Sequence, residues 1–425
     1  MKVLWVLNKA IGKLAEVMNI ETGGYGGWLE QSLDELSSCD SVSMVFLTSG
    51  SIKEQVRVSD GKNVYYMIPG GSAYSGFKDN KVNLSVVEGI IEKEKPDLIH
   101  LWGTESALSL VVAKASASIP KIVYIQGFMA SIKRHYYEST DKKYLSKNKT
   151  FYDIVKFNSP VKAWKQISKK AENEAKVLSL SDAIICDSNW CEAVCNAINP
   201  ELSVYKKKLP IDDVFKNAVY KNSGGHKIFT SSQYAPFKGF EVLLRALAIV
   251  RKRYSDVILN VPGGWNRPPV TLREKLTYSG YSNAMNKLIS ELGLKENVVN
   301  LGSLSRKQMA EYMERSDIFV QASTVENHSS TMREAMFVGM PCVVSNVGST
   351  PEYVQNGVSG FIYRNTEPEV LAFYIMKLFK DSDLRVKMGS NAARDIRSVY
   401  EKSDEEDYYT IYSDLINSYK VKNTL

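Results

Sequence analysis

Residues 318–336 read Ile318-Phe319-Val320-Gln321-Ala322-Ser323-Thr324-Val325-Glu326-Asn327-His328-Ser329-Ser330-Thr331-Met332-Arg333-Glu334-Ala335-Met336. Ile318–Gln321 has the length and apolar character of a strand buried on both faces. A polar loop follows, and a helical period runs over Thr331–Val338 until Gly339-Met340-Pro341 interrupts it. Cys342–Ser345 is then a second short strand. Strand, loop, helix and strand in this order build a parallel sheet with crossover helices.

The same rhythm extends outward in both directions. Towards the N-terminus it predicts strands at Lys227–Thr230, Val257–Val261 and Val298–Leu301, with helices at Gly239–Arg251, Asn283–Leu292 and Ser305–Arg315. The last of these opens with the capping box Ser305-x-x-Gln308. Gly360–Tyr363 is a further strand, and helices from Glu369 onward finish the chain. The polar stretch Tyr220-Lys221-Asn222-Ser223-Gly224-Gly225-His226 reads as a linker. Before it the rhythm occurs a first time, with strands at Val3–Leu7, Val42–Leu47, Val64–Ile68, Leu98–Leu101, Lys121–Ile125 and Ala183–Cys186. Helical segments there are Trp28–Leu36, Val82–Lys93, Ser106–Ala117 and Ala171–Leu178. The expectation is two doubly wound α/β domains with a cleft between them, residues 1–219 and 220–402, and a terminal helical segment at 403–425. In such sheets ligands bind outside the carboxyl ends of the strands, so the loops that follow strands are the ones to search.

With 425 residues, 44% hydrophobic and 24% charged, the chain has the composition of a soluble multidomain protein and not of a disordered or fibrous one. No apolar run approaches the roughly 18 residues of a membrane span, and Met1–Leu7 reads as a strand with no export signal beyond it. A cytoplasmic chain is expected. The five cysteines show no disulfide framework or metal-ligand spacing and read as buried, reduced thiols. Charge is concentrated: between Ser131 and Lys176 twelve Lys/Arg face five Asp/Glu, a net +7 that equals the net charge of the whole chain. Tyr136, Tyr137, Tyr144, Phe151, Tyr152, Phe157 and Trp164 are interleaved with these cations. That mixture suits an anionic membrane surface, nucleic acid or a phosphate-bearing lipid, and equally a solvated helical insertion in the first domain.

Candidate chemistry lies in the loops after strands. Small polar residues Asn327, Ser329, Ser330 and Thr331 stand where a helix begins, and free N–H groups there attract an anion such as a diphosphate. A carboxylate beside that site repels phosphate, so the natural partner of Glu326 or Glu334 is a sugar hydroxyl. Thr331-x-x-Glu334 also matches a capping box, so Glu334 has two open readings. Lys238, after the first strand of the second half, is placed to stabilise charge on a leaving phosphate. Gly23-Gly24-Tyr25-Gly26-Gly27 opens a helix after the first strand, which allows close backbone approach to a ligand. His100 ends a strand and is open to two readings, cleft or core.

Glu326-x7-Glu334, with Ala335-Met336, Gly339-Met340-Pro341, Gly348 and Glu352, resembles the family-4 retaining glycosyltransferases. Lys238-Gly239, Gly263-Gly264, Leu301-Gly302, Asn356-Gly357-x-x-Gly360-Phe361 and Pro96-Asp97-Leu98-Ile99-His100 fit the same pattern. The resemblance implies a GT-B architecture of two Rossmann-like domains facing a cleft, with the last helix, around Glu405–Tyr419, returning to the first domain. It implies that Glu334 grips ribose hydroxyls, Lys238 the diphosphate, and that Glu326 lies near the donor sugar. Amides from Ser329 to Thr331 would meet phosphate or sugar oxygens, Gly302 would flank the base, and Gly24, Gln233, Gly264 and Asn327 would complete the donor site. No cofactor or metal ion is implied.

Two positions depart from the family pattern. Gln233 stands where many members carry arginine, and Gln126-Gly127 where His-Gly is usual; Gln126 and His100 are the acceptor-side candidates. The reading is transfer of a hexose or pentose from a nucleoside diphosphate sugar, with retention, to a glycan or lipid-linked acceptor at the inner membrane face. Bacterial capsule, exopolysaccharide or O-antigen synthesis is the expected setting, with peripheral contact to an anionic membrane and no nucleic-acid partner. A silent nucleotide-sugar-binding relative, a sugar-nucleotide epimerase and nucleic-acid binding through the basic segment are the alternatives, the last disfavoured by the neutral remainder of the chain.

Overall fold

Fourteen short strands and the helices between them build two separate sheets in a computed structural model that describes residues 1–20, 27–37, 41–70, 82–155, 159–231, 233–263, 268–401 and 406–424. By its contacts the chain divides into two units. The first comprises Met1–Ala130, Gln166–Pro210 and Asp404–Leu425, and the second Ser131–Lys165 and Ile211–Ser403.

The first sheet contains β1 (Lys2–Val6), β2 (Ser43–Gly50), β3 (Val56–Ser59), β4 (Val64–Pro69), β5 (Leu98–Trp102), β6 (Lys121–Tyr124), β7 (Ala183–Cys186) and β8 (Ser203–Lys206). Their order is β3-β4-β2-β1-β5-β6-β7-β8. Every pairing is parallel except β3 with β4. Alternate residues of β1 enter opposite cores: Val3 and Trp5 pack on one face with Tyr408, Ile411 and Tyr412, and Leu4 and Val6 on the other with Val87 and Val112. Burial on both faces is why these strands read as continuous apolar runs. Edge strands β3 and β8 carry no such run, because their residues are partly exposed, and periodicity does not reveal them.

The second sheet contains β9 (Lys227–Thr230), β10 (Ile258–Pro262), β11 (Val298–Gly302), β12 (Ile318–Gln321), β13 (Cys342–Ser345) and β14 (Gly360–Tyr363), in the order β11-β10-β9-β12-β13-β14 and parallel throughout. Ile228 and Val320 face one core and Phe229 and Phe319 the other. The two parallel α/β sheets are those of the GT-B fold class.

The division differs from the expected boundaries in two places. The change of unit falls at Pro210/Ile211, ahead of the polar linker, and the segment expected as an insertion of the first domain splits. Its residues Ser131–Lys165 belong to the second unit, and only the remainder packs with the first. Hydrogen bonds explain the assignment. Thr324 Oγ1 donates to the His135 carbonyl (2.8 Å), Thr150 Oγ1 to the Tyr278 carbonyl (2.6 Å), and Asn283 Nδ2 to the Asn148 carbonyl (3.0 Å). The helix expected from Ala171 begins at Pro160 and runs to Ser179, its lysine-rich first half held by Trp164 Nε1 donating to the Lys133 carbonyl (3.0 Å). Among the described residues no helix is long and apolar enough to cross a membrane, and the four cysteines described are buried and free.

Candidate functional site

The strand order of the second sheet reverses between β9 and β12, which lie side by side with Phe229 opposite Phe319. Loops leaving two such strands diverge and open a crevice at their carboxyl ends. Lys238 arrives there from β9 through the short 3-10 turn Pro236–Lys238, and Glu326 arrives from β12. Lys238 Nζ donates to Glu326 Oε1 at 2.6 Å, and Ser323 Oγ donates to the same oxygen at 2.6 Å. Their side chains are only 15% and 12% exposed, so the cation and carboxylate neutralise each other in a largely dry setting.

Two glycines make this approach possible. Gly239 has φ +74°, and a Cβ there would stand 1.8 Å from the Ala322 carbonyl oxygen. Gly348 has φ +52°, and its Cβ would stand 1.8 Å from the Glu326 carbonyl oxygen. The loop bearing Glu326 is thus gripped from both sides, and backbone bonds Thr324 N to Phe237 O (2.8 Å) and Ser349 N to Glu326 O (3.2 Å) complete the grip.

The helix Ser330–Val338 begins at Ser329, a non-glycine residue in the left-handed region (φ 33°, ψ 57°) whose side chain does not cap the helix. Its hydroxyl instead donates to Gln321 Oε1. First-turn N–H groups without a side-chain cap favour an anion, and backbone strain of this kind concentrates at functional sites. Asn327 is buried, with Nδ2 2.9 Å from His328 Nε2; Ser330 is exposed and Thr331 half-buried.

The capping-box reading of Glu334 fails, because with Ser329 as N-cap Glu334 lies beyond the third helical position. Its carboxyl sits 3.9 Å from Arg306, which also reaches Asp212 at 3.5 Å. Burial pushes the Glu334 carboxyl up to about 7, with Arg306 and Arg333 pulling it back. Such a group is poised to accept hydroxyl hydrogen bonds that favour its charged form. Arg333 anchors the helix from inside, donating to Tyr400 Oη (2.9 Å) and lying 5.6 Å over the Tyr353 ring. Neither Arg306 nor Asp212 stands out in the sequence, since only the fold brings them to Glu334.

Gln233, three residues after β9, is fully buried, and its amide N–H group donates to Thr230 Oγ1 (3.2 Å) and the Ser231 carbonyl (3.0 Å). It supports the loop locally and supplies no charge. Gly302, with φ +66°, ends β11 beneath open space, and its carbonyl accepts from Gly263 N at 2.6 Å. Gly24 and Gly264 lie outside the described residues.

The first unit has its own reversal, between β1 and β5. Asn8 follows β1 and Glu105 follows β5, and Asn8 Nδ2 donates to Glu105 Oε1 at 2.6 Å. Glu105 Oε2 is buried and has no hydrogen-bond partner among the described residues, and burial raises the carboxyl. Beside it Glu174 accepts from the backbone N–H groups of Met129 (2.9 Å) and Ala130 (3.0 Å) and from Thr104 Oγ1 (3.1 Å), with burial pushing it up to about 7. Sequence reasoning missed Asn8 and Glu105. Their position directly after two strands was the available signal.

Gln126 is half-buried and turns back towards the Trp102 carbonyl (3.4 Å). His100 is a correction. It is fully buried, stacked on Trp102 at 4.3 Å with Nδ1 2.5 Å from Tyr412 Oη, so it belongs to the core and not to a cleft. A strand-end histidine with its side chain turned to the inner face is covered by the terminal helix. Among the described residues no group of metal-ligating side chains gathers.

Residues 212–395 match the family model described as glycosyl transferases group 1. N-acetyl-alpha-D-glucosaminyl L-malate synthase of Bacillus anthracis is 31% identical over 138 residues, 32% of this chain and 35% of that protein. D-inositol 3-phosphate glycosyltransferase of Corynebacterium glutamicum is 25% identical over 186 residues, 43% of this chain and 41% of that protein. The chain thus spans about two-fifths or less of the length of these curated relatives. Among solved structures, sucrose-phosphate synthase from Thermosynechococcus elongatus superposes with a TM-score of 0.67 at 14% identity, covering 100% of this chain and 99% of that one. The Anabaena protein HepE in complex with UDP-glucose superposes with a TM-score of 0.61 at 16% identity, covering 99% of this chain and 100% of that one. The stretch that matches the glycosyl transferases group 1 family, residues 212–395, lies within the second unit and holds Lys238, Glu326 and Glu334.

Proposed function

We propose that the protein transfers a sugar from a nucleoside diphosphate sugar to a glycan or lipid-linked acceptor, with retention of anomeric configuration and without a metal ion. The observation that carries this reading is the Lys238–Glu326 pair at the β9/β12 reversal, beside an uncapped helix N-terminus. In this reading the donor's diphosphate lies on the first-turn amides of Ser330–Val338 and draws Lys238 away from Glu326. Lys238 then stabilises charge on the departing diphosphate, and Glu326, released, accepts from a donor-sugar hydroxyl. Glu334 holds the ribose diol. The acceptor is assigned to the reversal point of the first unit, where Glu105 receives one of its hydroxyls. Assembly of a bacterial surface polysaccharide at the inner membrane face is the process this chemistry would serve.

UDP is the first nucleotide to test, because the Anabaena protein HepE was solved with UDP-glucose. Thermal unfolding with UDP, GDP, ADP and CMP, on wild type and Glu334→Ala, is the experiment. A ligand at 100 times its Kd adds about 2.7 kcal/mol to the folded state. Stabilisation by one diphosphate, lost in Glu334→Ala, supports the donor site. The absence of stabilisation by all four overturns it, and donor turnover without acceptor would identify an epimerase.

A further inference from the structure

The helix Phe151–Val155 is tied down on one side only. Asp153 is buried, its Oδ1 accepting from Gly280 N (3.1 Å) and its Oδ2 from Thr150 N (3.1 Å), while Phe151, Ile154 and Val155 point outward at helical spacing. Phe151 is 62% and Ile154 65% exposed. The helix packs against Leu272–Thr277, whose Leu272 and Leu276 are also exposed, and Val270, two residues before it, is 74% exposed. Two short helices of one unit therefore present a shared apolar tip to water. Contiguous exposed apolar groups of this kind mark an interaction surface.

Lysines flank the first helix in sequence. Lys142, Lys143, Lys147, Lys149 and Lys165 are all exposed, and the only acidic side chain in residues 142–165 is the buried Asp153; on the second helix the Glu274 carboxylate is engaged by the Val270 and Thr271 N–H groups. Lys142 and Lys149 also line a cavity of about 210 Å³ whose floor includes Tyr137, Leu145 and Trp164. The two features adjoin, since Lys149 is two residues from Phe151.

We propose that this tip and its flanking lysines form a docking surface for an anionic lipid bilayer, carried by the same unit as the candidate donor site. Its purpose rests on the lipid-linked acceptor proposed above; the surface itself is read from exposure and charge alone. Aliphatic side chains enter the headgroup boundary and lysines meet anionic headgroups, so the two contributions add. Protein–protein interfaces are depleted in lysine, which argues against a second copy as the occupant. Single-stranded nucleic acid is held by stacking on several aromatic rings, and of the exposed residues Phe151, Ile154, Val155, Val270, Leu272 and Leu276 only Phe151 offers one.

Flotation of the full chain with vesicles of phosphatidylcholine alone, or with 30% phosphatidylglycerol as a roughly physiological anionic load, tests the proposal. Wild type is expected on the anionic vesicles only, with binding that weakens as salt is raised. The triple variant Phe151→Ser/Ile154→Ser/Leu272→Ser and the triple variant Lys143→Glu/Lys147→Glu/Lys149→Glu should each bind at least about tenfold more weakly, since one surface lysine alone accounts for roughly fivefold. Both should retain nucleotide-induced stabilisation, which separates loss of docking from loss of fold. Phe151→Trp, which keeps an exposed aromatic, should show fluorescence quenching by brominated acyl chains beyond that of wild type. Wild type remaining free of anionic vesicles, or both triple variants binding as wild type does, overturns the proposal. So does a wild-type dimer that the apolar variant converts to monomer. A chain that docks but binds no nucleoside diphosphate leaves the surface intact and removes the donor-site reading instead.

Discussion

Glu334 illustrates how a single carboxyl reports on its surroundings. Burial raises its folded-state value to about 7 from an ordinary 4.5, so between those values the folded state holds a proton that the unfolded state has released. Stability from this group is therefore greatest below the unfolded value and falls as pH rises through the folded one, by on the order of 3 kcal/mol at most. Glu334→Gln should flatten that slope and be more stable than wild type at pH 8 but not at pH 4, as denaturant titrations at the two pH values will show. Nucleotide binding should run the other way. A ribose diol favours the carboxylate, so affinity should rise with pH up to about 7 in wild type and lose that dependence in Glu334→Gln, measured by calorimetry.

The Lys238–Glu326 pair permits a second prediction at the same scale. Removing one partner leaves a mostly buried charge behind, so Lys238→Met or Glu326→Gln alone should each cost about 2–3 kcal/mol, less than a fully dry pair. The double variant should cost less than the two single changes together, with a coupling of about 1–3 kcal/mol in a double-mutant cycle. Simple additivity would show that the pair does not interact.

At the scale of elements, the site depends on loops that approach more closely than side chains allow. Gly348→Ala adds a methyl group onto the Glu326 carbonyl at a φ of +52°. It should destabilise by about 1–3 kcal/mol and also weaken nucleotide binding, because the Glu326 loop must shift. Ser305→Ala is the contrasting case. It removes a capping box that is fully formed, with Gln308 N donating to Ser305 Oγ at 3.3 Å and Gln308 returning the contact at 2.9 Å. It should cost about 1 kcal/mol and leave nucleotide affinity unchanged, as thermal unfolding with and without UDP will show. The two capping-box patterns also mark how far local sequence reaches. Ser305-x-x-Gln308 forms as written, whereas Thr331-x-x-Glu334 does not, because the left-handed turn at Ser329 starts its helix two residues early.

Over the whole molecule, the terminal helix Tyr408–Thr424 belongs to the first unit, where Tyr412 Oη accepts from Trp5 Nε1 (3.0 Å) and meets His100 Nδ1. Tyr412→Phe leaves both ring nitrogens buried without that partner and should cost about 1–3 kcal/mol in denaturant unfolding, with no effect on the nucleotide response of the second unit. Burial also holds His100 well below its ordinary 6.5. The folded state thus binds fewer protons than the unfolded one below that value, and the first unit should lose stability as pH falls under 6.5.

What the sequence by itself determined is the set of central strands, their helices, Glu334's among them, and the loops that carry Lys238 and Glu326. Strands buried on both faces have to be written in apolar residues, and helices that cover them in a 3.6-residue period, so these signals are local. The tertiary structure alone decided the rest. Edge strands β3 and β8, the assignment of Ser131–Lys165 to the second unit, the core role of His100, and the meetings of Asn8 with Glu105 and of Arg306 with Glu334 all depend on which surfaces become neighbours. Contacts between residues tens to hundreds of positions apart are set by packing, and no window of sequence contains both partners.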